Sequence, residues 1–478
     1  MHVLALAGLL LPAAVAAPAP SHRTDWFFRA GYGVFVHYLW DLQNVPETVN
    51  GLGRSTSWDA CVREFDVERF ADQMKQAGAG YVIFTMHQRT RYLIAPNATF
   101  DRMTGYHPGE ACATRDLVDD LYRALSRRGV PLMLYWTGDG PREDPKAAAA
   151  LQWPADGKVT EEFVRNWAAV AREYGERYGD KVKGWWCDGC YPFIGYTDAT
   201  LGIMAGALRA GYPQRIVALN NGVLDRVRPY TRHEDYTTGE QNAFADVPVS
   251  RFVDGEQWHV LSFLGGAWGR AGTRLSKQQL VDYVFACSAV GGVVSIDVLL
   301  YRDGTIDRSQ LEVLKALRPG LAVRRREADA WRRGKAIPPR NKAWRKPAAL
   351  LSLKGYRLGP SVGEQHEARA AVDGDPVTSA EAGGEYAWAL DVDLLEPGPI
   401  RRIAVTFGRG YATDFDVAVS EDREHWSVIR RFQGHDGSPV DLACDVARAR
   451  FVRVRGYRPD AEGQPGTQMQ VADLRVYE

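Results

Sequence analysis

Val182-Lys183-Gly184-Trp185-Trp186-Cys187-Asp188-Gly189-Cys190 is the stretch that decides the fold. Residues 182–188 read as an apolar strand that stops at a Gly turn. The stop leaves Asp188 at the strand's carboxyl end, with two Trp rings leading into it. An Asp-Gly pair at such a point is either a turn cap or a carboxylate presented for chemistry. The choice depends on what surrounds it.

Strand-like runs recur on both sides, at 31–39, 81–85, 131–136, 216–220, 233–238, 258–264 and 293–300. Helical stripes separate them. One is Val67, Phe70, Met74 and Ala77, ended by Gly78. A second is Leu117, Leu121 and Leu125, begun by Asp116 and stopped by Gly129. A third carries Phe163, Trp167, Val170, Tyr174 and Tyr178. Ser276 and Gln279 form a capping box before Leu280, Val284 and Cys287. No helix is read after the fifth and sixth runs. Eight β–α units in order predict an α/β fold, a (β/α)8 TIM-like barrel over residues 21–321. Chemistry in such barrels sits at the carboxyl ends of the strands. That rule selects His37, His87, Trp136, Asp188, Asn220, Glu240, Trp258 and Asp297.

Residues 322–346, rich in Arg, Lys and Pro, predict a helix and linker. From 347 to 478 the texture changes to short alternating runs divided by Gly, Pro and Asp turns, as in an all-β sandwich.

The 478 residues are 45% hydrophobic and 25% charged, a globular composition. With 59 basic and 59 acidic residues, bulk charge attracts neither nucleic acid nor anionic membranes. The 14 Trp and 21 Tyr suit sugar faces and large cores alike. Residues 1–20 read as a signal peptide, with an apolar run at 3–15 and small residues near Ala16 and Ala17, which predicts secretion. The run is too short to span a bilayer. In an oxidising compartment, Cys187 and Cys190 are expected to form a local disulfide, because neither a second Cys pair nor a His set accompanies them for zinc. Asn97-Ala98-Thr99 is a glycosylation acceptor sequence. No metal site or organic cofactor is implied in the barrel. Oligomeric state is open.

The barrel also resembles glycoside hydrolase family 29, the α-L-fucosidases. The resemblance rests on seven pieces in order. They are Asp25-Trp26-Phe27 with 33–37 (GVFVH), 70–85 (FADQMKQAGAGYVIFT), Arg115-Asp116-Leu117-Val118, Trp186-Cys187-Asp188-Gly189, Asp235-Tyr236-Thr237 with Glu240, Trp258 with Trp268-Gly269, and Gly291-Gly292 through Asp303-Gly304-Thr305-Ile306. It implies a retaining exo-α-glycosidase acting on a terminal sugar of oligosaccharides, polysaccharides or glycoconjugates, with Asp188 as nucleophile. Such enzymes hold nucleophile and acid/base about 5–5.5 Å apart, and the acid needs a raised pKa. Glu240 and Glu256 are the acid/base candidates, and Glu234 or Asp235 is another inward carboxylate. His37, His87, Gln88, Arg89, Trp136, Trp186, Trp258 and His259 are candidate sugar contacts.

Two departures stand out. Gln88 and Arg89 occupy the family's His pair, and His259 stands where its WETC Glu is found. The resemblance therefore leaves the sugar open, fucose or another. If Arg89 and Arg91 face the pocket, they select a carboxylate or sulfate. The rival expectations are a non-catalytic carbohydrate-binding protein on a degenerate barrel, and an inverting enzyme.

Residues 347–478 resemble a coagulation factor V/VIII type C (discoidin-like) domain, a galactose-binding-like jelly roll. The matching pieces are Ala371-Val372-Asp373-Gly374-Asp375 with Thr378, Ser420-Glu421-Asp422 with Trp426, Arg450-Phe451-Val452-Arg453-Val454, and 472–477. The oxygen-rich turn at 373–375 suits a structural Ca²⁺.

Overall fold

A computed structural model describes residues 22–224, 226–248, 250–332, 341–355, 358–361, 367–374, 378–383, 386–458 and 469–478. The expected signal peptide lies outside the described residues.

Seven parallel strands form a curled sheet: β1 (Tyr32–Val36), β2 (Val82–Thr85), β3 (Leu132–Thr137), β4 (Val182–Asp188), β5 (Ile216–Leu219), β8 (His259–Phe263) and β9 (Val293–Val298), in the order β5-β4-β3-β2-β1-β9-β8. A small hairpin of β6 (Phe252–Val253) and β7 (Glu256–Gln257) precedes β8. The expected helices form, with the expected Gly78, Asp116 and Ser276/Gln279 signals in place, while the second ends at Arg127 rather than Gly129. Asp66 caps Val67–Ala77, which ends at Gly78 in the left-handed conformation. Asp116 caps Leu117–Ser126, Thr160 caps Glu161–Tyr178, and the Ser276/Gln279 box opens Lys277–Ser288.

The sixth strand expected at 233–238 is an irregular segment instead. It still closes the gap between β5 and β8. Asp235 N donates to Val217 O at 2.8 Å on one side, and Leu261 N donates to Gly239 O at 2.9 Å on the other. The departure from strand geometry has two causes. The Asp235 carboxylate, rather than a main-chain carbonyl, accepts from Val217 N at 2.9 Å. Gly239 also takes a positive φ of 56° where a Cβ would stand 2.0 Å from His259 O. No helix occurs among the described residues between β5 and β6.

The barrel buries both faces of its sheet, as parallel sheets do. Phe35, Ile83, Met133, Tyr135 and Trp186 fill the interior. Val34, Phe84, Leu134, Trp136 and Trp185 face the helices. Helix Leu317–Arg332 sets Leu317 and Leu321 into this outer core, so the boundary expected between 321 and 322 falls inside one helix.

Asn97 is a correction. It is fully buried, where the fold has no room for a glycan. Its Oδ1 caps helix Ala98–Thr104 by accepting from Phe100 N at 2.8 Å, and its Nδ2 donates to Val170 O at 3.1 Å. Mass analysis of this peptide should show it unglycosylated. Asn97→Ala should destabilise the fold by about 1–2 kcal/mol, through the lost cap and the lost bond to Val170 O, read as a lowered Tm.

The C-terminal domain is antiparallel. β10 (Ala348–Ser352), β11 (Trp388–Phe407), β12 (Asp414–Ser420), β13 (Ser427–Gln433), β14 (Val440–Arg458) and β15 (Val471–Tyr477) pair in the order β10-β11-β14-β12-β13, with β15 on β11. β11 and β14 run together, with register shifts between Asp393 and Arg402, and enclose a core around Trp388, Phe415 and Val452. This is the all-β architecture expected. Arg450 joins the domains: it clasps Asp393 with two 2.8 Å bonds and donates to Pro248 O of the barrel at 2.8 Å. In the oxygen-rich turn, Asp373 accepts from the Thr378 hydroxyl at 2.9 Å, and Asp375 lies outside the described residues. A cavity of about 1390 Å³ opens between the domains, lined by Phe244, Arg324, Asp391 and Arg423 among others.

Candidate active site

Side chains alternate along a strand, so Asp188 and Trp186 share the inward face of β4. On β3, Tyr135 is inward and pairs in register with Trp186. Their rings stack at 5.6 Å, with Phe35 edge-on to both. This aromatic layer lies directly beneath the Asp188 carboxylate.

Asp188 is held by four donors. Oδ1 accepts from Gly189 N, the Tyr191 hydroxyl and Asn220 Nδ2, each at 2.8 Å. Among the described residues, Oδ2 accepts from the Tyr135 hydroxyl alone, at 2.7 Å. Burial, and next the Asp188 charge, push the Tyr135 phenol well above its ordinary range, so it remains a donor. Gln88 Nε2 donates in turn to the Tyr135 oxygen at 2.8 Å.

Asn220 Nδ2 also donates to Glu240 Oε2, at 2.7 Å. One amide nitrogen thus touches both carboxylates. The two oxygens it touches can be no further apart than about 5.5 Å, so the carboxylates are close neighbours. Burial first, and then the charge of Asp188, raise the Glu240 carboxyl to about 7. Asn220→Ala should lower kcat/KM by about 10²-fold, the cost of misplacing two reacting groups. Steady-state kinetics beside an unchanged circular dichroism spectrum would check it.

His37 forms one wall. Its Nδ1 lies 2.8 Å from Asp297 Oδ1, while Asp297 Oδ2 accepts from Gly269 N at 2.7 Å. With Nδ1 held, Nε2 is the ring's remaining polar atom. The Trp268 ring stands 6.2 Å from it, edge-on. Arg89 sits at a positive φ of 56°, with its guanidinium 3.7 Å from Asp139 and 3.9 Å from Glu143. Asp139 is buried, which raises its carboxyl to about 6, and it pairs with Arg142 at 3.3 Å. Arg91 is committed elsewhere, to Asp144 at 2.8 Å.

The structure therefore gathers His37, Gln88, Trp186, Asp188 and Glu240, with Arg89 at the margin. Seven expected residues lie elsewhere. Trp136 and Trp258 face the helical layer, because inward and outward positions alternate and theirs are outward. His87 lies past the end of β2, where the chain turns and alternation lapses. Its ring packs 4.7 Å from Trp136 and 5.0 Å from Trp167, and burial lowers its pKa to about 3. His259 begins β8, four residues or about 13 Å below the Phe263 level. There its Nε2 meets the Ser295 hydroxyl at 2.8 Å and burial lowers its pKa to about 4. Glu256 lies before that strand's amino end, at the opposite mouth from Asp188. Burial, and then the Asp235 charge, raise it to about 7. Asp235 binds Arg23 and Arg209, at 2.8 and 2.6 Å. Glu234 accepts from Tyr230 N at 2.5 Å, in a loop.

Cys187 and Cys190 correct another expectation. Both are free thiols, with sulfurs 3.5 Å apart rather than at the roughly 2.05 Å of a disulfide. The loop is instead pinned by hydrogen bonds. Gly138 N donates to Asp188 O at 2.7 Å, and the Tyr230 hydroxyl donates to Cys190 O at 3.0 Å.

Tyr135, Tyr191 and Asp139 were missed. Tyr135 carried no signal, because β3 is buried on both faces and its sequence shows no alternation. Tyr191 and Asp139 lie in loops and carry no pattern.

Residues 56–321 match the model of the alpha-L-fucosidase family, and residues 360–467 that of the F5/8 type C domain. Among solved structures, a putative alpha-L-fucosidase from Bacteroides thetaiotaomicron is similar at 14% identity, over 100% of this chain and 99% of that one, with a TM-score of 0.46. A Ruminococcus gnavus GH29 fucosidase in complex with fucose is similar at 13% identity, over 95% and 94%, with a TM-score of 0.40. A chitosan-binding module from a Paenibacillus chitosanase/glucanase matches 29% of this chain and 100% of its own at 23% identity, with a TM-score of 0.25. No curated protein matches the chain. With more than half of its length matched, and an inward Asp and Glu at the carboxyl ends of its barrel, the chain belongs to the alpha-L-fucosidase family of glycoside hydrolases.

Proposed function

We propose that the protein is a secreted, retaining exo-α-glycosidase that releases a terminal sugar by double displacement. The observation that carries this reading is the Asn220 amide, which holds Asp188 and Glu240 on one nitrogen. Oδ1 of Asp188 is saturated by three donors and Oδ2 has one, so Oδ2 is the attacking atom. Glu240, protonated up to about pH 7, gives its proton to the departing glycosidic oxygen. Bond formation at Asp188 then abolishes the charge that helped raise Glu240. Its acidity therefore rises as it turns to deprotonating water for the second displacement.

The sugar rests over Phe35, Tyr135 and Trp186, between His37 and Trp268. Gln88 is spent on Tyr135 rather than left free for a hydroxyl, so the sugar is fucose or another that this altered wall accepts. The apolar run at 3–15 supports secretion, and the F5/8 type C match supports carbohydrate tethering by the C-terminal domain.

A panel of α-L-fucosides, α-L-galactosides, uronic-acid glycosides and natural oligosaccharides tests the reading, with wild type beside Asp188→Ala. Release by wild type alone supports it and names the sugar. Binding by both proteins without release supports a non-catalytic carbohydrate-binding protein instead.

A further inference from the structure

Phe193 is the most exposed large apolar side chain of the described residues, at 65%. It does not hang on a loose loop. Residues Pro192–Ile194 form a helical turn whose Ile194 O accepts from Val159 N, and Lys158 Nζ donates to Phe193 O. Ile194 itself is buried. The backbone is fixed while the ring faces solvent.

That ring is also stacked. It lies 4.9 Å from the Tyr191 ring at an interplanar angle of 13°. The Tyr191 hydroxyl donates to Asp188 Oδ1 at 2.8 Å, and Glu240 acts electrostatically on the same hydroxyl. Two parallel aromatic faces therefore run outward from the carboxylate pair. Beside them Gly222 takes a positive φ of 103°, and the nearest atoms to a Cβ built there belong to Tyr191, at 3.8 Å, so the wall stays open. The aromatic layer of Tyr135 and Trp186 lies inside the barrel, beneath Asp188, whereas Tyr191 and Phe193 lie at the rim. If the terminal sugar occupies the interior, what reaches the rim is the group it leaves behind.

We propose that Tyr191 and Phe193 form a leaving-group subsite, which stacks the apolar face of a second pyranose ring just outside the Asp188–Glu240 pair. This rests on the glycosidase reading above. It makes the preferred substrate an oligosaccharide rather than a sugar on a small aglycone. An exposed aromatic face is the surface that a pyranose CH face covers, and covering it removes apolar area from water.

The test compares two probes bearing the same terminal sugar: a disaccharide and the corresponding glycosyl fluoride, whose leaving group has no ring to stack. The quantity read is the ratio of kcat/KM for the disaccharide to that for the fluoride. Phe193→Ala should lower this ratio about tenfold, as expected for one lost ring stack. Phe193→Trp should restore it. A ratio equal to wild type in Phe193→Ala overturns the subsite, because a ring that only braces Tyr191 would slow both probes alike. Wild type inert on the fluoride would overturn the glycosidase reading, and the subsite with it.

Discussion

Asp188→Ala should abolish turnover, with kcat falling by roughly 10⁴-fold or more, as when a nucleophile is lost from a preorganised site. The loss is chemical, since the variant retains the Tyr135–Trp186 layer and the Asn220–Glu240 contact on which sugar binding and acid placement depend. Added azide supplies the decisive measurement. A small anion in the space left by the carboxylate can attack the anomeric carbon directly. A retaining mechanism then yields a glycosyl azide of configuration opposite to the substrate's. Full turnover by Asp188→Ala would remove the residue from the mechanism. Rescue without an azide adduct would make it a positioning residue rather than the nucleophile.

Glu240→Gln should produce the second largest effect, a loss of about 10²–10⁴-fold on substrates with poor leaving groups. The loss should shrink for leaving groups that depart without a proton. The pH profile tests the assignment independently. Glu240 works in its protonated form, and its carboxyl is raised to about 7 by burial and by Asp188. Wild-type activity should therefore fall as pH rises through about 7, and this alkaline limb should vanish in Glu240→Gln. The same shift has a stability sign. A carboxyl raised in the fold holds its proton more tightly there than in the unfolded chain. Ionising it therefore weakens the fold as pH rises from the ordinary carboxyl range through about 7. Tm of Glu240→Gln should exceed that of wild type at pH 8 and match it near pH 4. An alkaline limb that survives the substitution would pass the acid role to another group.

Much of this was legible in the sequence. The strands and capped helices followed from apolar runs, periodicity and Asp, Ser, Thr and Gly punctuation. These are local preferences that the tertiary fold leaves in place. Asp188 and Glu240 could be named because strand ends face the active mouth of such a barrel. What the sequence could not decide was which way a side chain turns. In a parallel barrel both faces of each strand are buried, so β3 is apolar throughout and nothing in its pattern separates Tyr135 from Trp136. Only assembly of the sheet put Tyr135 beneath Asp188 and sent Trp136 toward helix Glu161–Tyr178.

Depth was equally hidden. His259 and Glu256 belong to the amino-terminal end of β8, because the register His259↔Val293 places Phe263, not His259, level with Asp297. The sixth strand failed as a regular element because the Asp235 carboxylate takes a β5 amide and Gly239 turns left-handed against β8. Both are long-range contacts. Asn97 carried an acceptor triplet whose amide the fold spends on a helix cap and on Val170 O, and the Cys187 and Cys190 sulfurs stand 3.5 Å apart, beyond bonding distance. The sequence by itself determined the barrel, the β domain and a short set of candidate carboxylates. The tertiary structure decided the site, because facing, depth and the amide that joins the carboxylates depend on contacts between residues far apart in the chain.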